Sequence, residues 1–201
     1  MKPIIVLTVI CLISGFSLAY VNKITFPKRT ENANLVLENA KKEVLSQEII
    51  SNLSEIKELA SEAGVKFYNV SDKQGNRIAL IAEFAGKGYA GDIKLLAGIS
   101  LDNKILGLKP LAHNETPGLG AKITEINENL SNKLKEKNNN IDIKKPWFCE
   151  QFKGISADLI KLKKDGGAID AITASTISSR AVTEAVNKVL KISLNLNVSG
   201  K

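Results

Sequence analysis

Hydroxyl-bearing side chains crowd one stretch of this chain. After the turn Asp165-Gly166-Gly167, the run from Ala168 to Arg180 holds Thr173, Ser175, Thr176, Ser178 and Ser179. Behind them Ile177, Ala181, Val182, Ala185, Val186, Val189 and Leu190 repeat at helical period. This is the signature of a helix start capped by Ser or Thr. Such a start leaves backbone N–H groups free and a partial positive charge, so it can seat a phosphate or another anion. The plain alternative is a capped helix with no further chemistry.

A second candidate is His113-Asn114-Glu115-Thr116-Pro117-Gly118-Leu119-Gly120. Pro117-Gly118 predicts a tight turn that exposes backbone groups. Two strands predicted at Asp92–Ser100 and Lys104–Ala112, around Leu101-Asp102-Asn103, would deliver the chain to it from a rigid sheet.

Both segments resemble the FMN-binding domain of two related families: the G subunit of the Rnf-type ion-translocating oxidoreductase and the C subunit of the sodium-translocating NADH:quinone reductase. Asp170-Ala171-Ile172-Thr173-Ala174-Ser175-Thr176 is similar to their D-x-x-[S/T]-G-A-T signature, and Glu115 to Gly120 to their E-T-P-G-L-G loop. Motif spacing and chain length fit the G subunit better. The resemblance implies one FMN attached covalently through a phosphoester to Thr176, with Asp170, Thr173, Ala174 and Ser175 around the attachment. It also implies flavin contacts from Glu115, Thr116, Gly118, Leu119 and Gly120. Ala174 stands where the families have Gly, and Ser175 where they have Ala. Both replacements are small, but a need for φ > 0 at position 174 is met cheaply only by Gly.

The implied role is a relay for electrons moving between ferredoxin and NAD in a membrane complex that pumps Na⁺ or H⁺. The implied partners are the other subunits and the flavin transferase that installs FMN. Two rivals from other classes are a flavin-free membrane-anchored scaffold domain and a stand-alone flavin reductase.

Composition limits the alternatives. The chain has 201 residues, a formal charge of +7 and a pI near 9.3, but its basic residues are scattered and aromatics make up 5%. That does not suit nucleic acid, which calls for clustered charge and stacking platforms. The excess charge suits anionic lipid or an acidic neighbouring subunit. Cys11 and Cys149 form no disulfide framework, and with the single His113 they cannot supply an iron–sulfur or structural zinc site, so no metal is expected.

Pro3 to Val21 carries no charge, and about 19 residues at 1.5 Å each span roughly 28 Å, enough to cross a bilayer core. Residues 1–22 therefore read as an N-terminal membrane anchor. Lys2 before it and Lys23, Lys28 and Arg29 after it leave the orientation ambiguous, leaning toward a cytoplasmic C-terminal side. The resemblance instead places a single-pass protein in the cytoplasmic (inner) membrane with its flavin domain outside the cytoplasm. The rival is a cleaved signal peptide with Ser17-Leu18-Ala19 at the cleavage site.

Residues 23–64 read as a helical linker, with one or two helices over Glu31–Ala63 stopped by Gly64. Residues 65–201 read as the FMN domain. Val65–Val70 and Arg77–Phe84 predict strands, Ala121–Lys137 an amphipathic helix ended by Asn138-Asn139-Asn140, and Leu159–Leu162 a short strand. Gly86 to Gly91 forms a corner that lets strands bend or backbone approach a flavin, with Tyr89 as a packing partner. Trp147, Phe148 and Phe152 read as core or a flavin-side wall. Lys163 and Lys164 read as a solvated pair or as neutralising a phosphate. The fold class is α+β, an antiparallel sheet with flanking helices behind one N-terminal transmembrane helix.

Overall fold

The computed structural model describes residues 2–136, 138 and 141–198. Lys137, Asn139 and Asn140, within the expected helix and its end, lie outside them. The chain forms two compact units, one up to Asn39 and the other from Ala40. The first lies within helix α1 (Lys2–Glu43), whose stretch from Pro3 is long and apolar enough to cross a membrane. Its large side chains, among them Leu7, Leu12 and Phe16, are exposed, as suits a lipid-facing surface.

The second unit begins with the end of α1 and a short helix, α2 (Gln47–Asn52), capped by Ser46, whose hydroxyl accepts from Ile49 N–H. Five strands follow: β1 (Leu53–Glu62), β2 (Val65–Asp72), β3 (Arg77–Lys87), β4 (Asp92–Ser100) and β5 (Ile105–Ala112). They pair antiparallel in sequence order, a meander whose connections are all hairpins. The expected α+β class is what forms.

β1 corrects the helix expected up to Ala63. Glu55, Lys57, Glu58 and Glu62 favour helix locally, yet the segment pairs along its length with β2. Its charges instead blunt an edge strand of the sheet, where they stay in water. Gly64 is no helix stop. Ala63 and Gly64 have φ of 52° and 81° and make a two-residue hairpin turn with both residues at positive φ.

Alternate residues of the strands feed one core: Phe67, Leu80, Ala82, Phe84, Ile93, Leu95, Ala97 and Ile99. Helix α5 (Thr176–Val198) covers that face through Val182, Val186, Val189 and Leu190. Trp147, Phe148 and Phe152 join it edge-to-face, with ring centroids 5.8 and 5.6 Å apart, so these aromatics are core. The opposite face buries Tyr68, Val70, Ile81 and Leu96. Ala40, Val44 and Leu45 are buried in the same unit, and the backbone of Val44 lies directly over the cross-strand pair Gly98 and Gly107. A Cβ on Gly98 would lie 2.2 Å from the Val44 carbonyl oxygen, so glycine is required for this contact.

Two further expectations are corrected. The helix expected over 121–137 is a 3₁₀ turn, Gly120–Thr124, followed by α3 (Glu128–Lys135). Glu125 has extended dihedrals and its carbonyl accepts from Trp147 N–H, while Asn127 starts the new helix by accepting from Leu130 N–H at 3.2 Å. The strand expected at Leu159–Leu162 is a 3₁₀ turn, Ala157–Leu159, then irregular chain with one isolated bridge from Leu162 to Ile169. Asn187 claims the Ala157 and Ile160 carbonyls, which removes them from any ladder. The short helix α4 (Trp147–Glu150) completes the fold.

Candidate functional site: a cleft at the start of α5

The hydroxyl-rich segment ends in the predicted helix, and Thr176 is its first residue. The approach to it is folded back on α5 by its own serines. Ser179 Oγ accepts from Ile172 N–H at 2.9 Å and donates to the Ser175 carbonyl at 2.8 Å, and Ser175 N–H donates to the Ile172 carbonyl. Further back, the Gln151 side-chain amide clamps residue 170 by accepting from Asp170 N–H and donating to the Asp170 carbonyl. Lys163 pairs with the Asp170 carboxylate at 2.6 Å, so its charge is committed there. Inside this reversal Ala174 has φ 61°, the left-handed conformation that glycine adopts without strain.

The second segment leaves β5 and turns sharply. Thr116 carbonyl accepts from Leu119 and Ala121 N–H, and Gly118 has φ 75°. Glu115, only 5% exposed, points inward and holds three pieces of chain together. One carboxyl oxygen accepts from Ala90 N–H at 2.9 Å, in the glycine corner after β3. The other accepts a hydrogen bond from Ser178 Oγ on the first turn of α5. Gly88 and Gly120 pack against the same carboxyl group, where a Cβ would lie 2.4 and 2.3 Å from its oxygens. Gly86 lets α5 approach β3, since a Cβ there would meet the Ala181 carbonyl at 2.6 Å.

These contacts bring both sequence segments to one cleft of about 410 Å³, within the range of small-molecule sites. It is lined by Tyr89, by Glu115, Thr116, Leu119 and Gly120, and by Ala174 through Ser178. Tyr89, Leu119 and Ile177 expose apolar surface. Gly118 shapes the loop and does not line the cleft. Asp170 and Thr173 face a neighbouring cleft of about 560 Å³, with Lys122 and Trp147. A larger hollow of about 760 Å³ beside α5 contains the Arg180–Asp165 ion pair and none of the predicted site residues. The bond between Ser178 and Glu115 and the place of Ile177 in the cleft are not legible in the sequence. No local pattern marks a pairing across so many residues.

The donor set fits a flavin phosphate and ring. Among the described residues no side chain accepts from the N–H groups of Thr176, Ile177 or Ser178, and the Ser175 hydroxyl is buried without a partner. Fold and site thus define an α+β domain with a small-molecule cleft suited to an anion at a helix start, behind an N-terminal helix long and apolar enough to cross a membrane. The FMN-binding domain profile matches residues 88–191. The chain is 31% identical over 193 residues to the G subunit of the ion-translocating oxidoreductase complex of Shewanella amazonensis, covering 89% of this chain and 84% of that protein. It is 30% identical over 188 residues to the G subunit of the proton-translocating ferredoxin:NAD(+) oxidoreductase complex of Clostridium ljungdahlii, covering 92% and 86%. With the corresponding G subunit of Buchnera aphidicola it shares 28% over 192 residues, covering 90% and 89%. The chain belongs to the FMN-binding domain family, among the G subunits of ion-translocating oxidoreductase complexes.

Proposed function

We propose that the chain carries one FMN joined through its phosphate to Thr176 Oγ1, and relays electrons within a multi-subunit membrane complex. The observation that carries this reading is the meeting of two separated signature segments in one cleft, fastened by Glu115. When bound, FMN supplies one- and two-electron transfer, and the protein supplies position and electrostatics. The helix start favours the phosphate charge. Tyr89, Leu119 and Ile177 give the ring apolar cover, and Thr116 offers a polar edge. Asp170 acts by fixing the loop through Gln151 and Lys163, and Thr173 and Gly118 shape the entry and the turn.

By analogy with the Clostridium relative, the electrons pass between ferredoxin and NAD, and the complex couples them to movement of Na⁺ or H⁺. This chain performs no complete reaction alone. Residues 1–22 anchor it in the cytoplasmic (inner) membrane as a single pass, the flavin domain lies outside the cytoplasm, and a flavin transferase matures it. A covalent link keeps the flavin from diffusing away there.

The test is co-expression with a matching flavin transferase and ultraviolet fluorescence of the denatured band. A fluorescent band is expected. The strained Ala174 favours one rival, the flavin-free scaffold. A dark band, with the transferase active on a control substrate, would replace the flavin reading with that one.

A further inference from the structure

Ser46 and Asn127 cap the helices that follow them by accepting a backbone N–H. Ser175 precedes α5 in the equivalent place, with its carbonyl accepting from Ser179 N–H at 3.0 Å, but its hydroxyl caps nothing. The residue is 6% exposed, and among the described residues its Oγ has neither donor nor acceptor opposite it. An unpartnered buried hydroxyl is a cost to folding, and alanine would avoid it. Yet the side chain lines the cleft beside Thr176. The backbone N–H groups of the first turn are equally without side-chain partners among the described residues.

We propose, resting on the flavin reading, that the Ser175 hydroxyl donates a hydrogen bond to a phosphate oxygen of the FMN held at Thr176. It thereby adds a phosphate-specific contact to those of the helix start. A serine hydroxyl turns about a single side-chain torsion, so it can meet an oxyanion there without a change of backbone. The negative phosphate satisfies both the hydroxyl and the first N–H groups of α5, and hydrogen bonds to charged groups are the stronger kind.

The test uses the full-length chain made without a flavin transferase and titrated in detergent with free FMN and, separately, with riboflavin, which lacks the phosphate. Ser175→Ala should weaken FMN about ten-fold and change riboflavin by less than about two-fold. The variant should melt no lower than the parent, since the lost hydroxyl bonds nothing in the protein. Unchanged FMN affinity overturns the proposal and leaves the flavin reading standing. An equal loss for both ligands also overturns it, because it assigns Ser175 to cleft shape instead. If the parent chain binds neither ligand, the hydroxyl–phosphate contact is overturned, while the flavin reading is decided by the covalent adduct formed with the transferase.

Discussion

Ser178 on the first turn of α5 donates its hydroxyl proton to the carboxyl group of Glu115, 63 residues earlier in the chain. Both side chains are buried, at 2% and 5% exposure, so the bond works away from water, where losing either partner is costly. Through it the helix start, the turn after β5 and the corner after β3 hold one geometry. Ser178→Ala should cost about 1–3 kcal/mol in denaturant unfolding. Combined with Glu115→Gln it should show a coupling of about 0.5–3 kcal/mol in a double-mutant cycle. Strict additivity would mean that the bond does not organise the cleft.

Ala174 occupies the left-handed region at φ 61°. That conformation costs a non-glycine residue about 1–2 kcal/mol, partly offset by glycine's greater freedom in the unfolded chain. Ala174→Gly should therefore raise the unfolding free energy by about 0.5–1 kcal/mol. A loss of stability would contradict the backbone conformation described for the reversal before α5.

Gly98 and Gly118 separate two reasons for glycine. A Cβ at 98 would strike the Val44 backbone, so Gly98→Ala should cost about 3 kcal/mol through overpacking. At 118 there is open space and only the positive φ of 75° opposes a side chain, so Gly118→Ala should cost about 1 kcal/mol. Thermal or denaturant unfolding of the two variants reads the difference directly.

Much of this architecture is legible from residue patterns, for identifiable reasons. The strands at 65–72, 77–87, 92–100 and 105–112 carry β-branched and apolar runs between turn residues, and the start of α5 follows from its serines and threonines. β1 escaped because its composition favours helix and only the neighbouring strand overrides it. The division of 121–137 escaped because it depends on Trp147, a residue distant in sequence, taking the Glu125 carbonyl. At the site, the residue types around Thr176 were readable. The separation of Asp170 and Thr173 from the cleft was not, since it arises from the reversal that Ser179 and Gln151 enforce.

Cys149 gives a pH test of the core. Burial first, and the neighbouring Glu150 second, push its thiol far above the ordinary range, and its Sγ donates to the Ile123 carbonyl. The folded state therefore keeps the proton, while the unfolded chain releases it above about pH 9. This contribution is complete below that pH and falls by roughly 1.4 kcal/mol for each further unit. Between pH 9 and 10, where the unfolded thiol passes from half to mostly ionised, the parent should lose about 1 kcal/mol more stability than Cys149→Ala. Equal slopes would contradict the thiol's burial.

Whether Thr176 carries the flavin is read by peptide mass analysis of the parent and Thr176→Ala, each co-expressed with an active flavin transferase. Thr176 is the first helical residue and not the cap, so the variant should fold, at a cost within about 0.5 kcal/mol. An FMN adduct is expected on the peptide containing Thr176 in the parent and none in the folded variant. An adduct that persists in Thr176→Ala, or one found on a different peptide, would contradict that attachment.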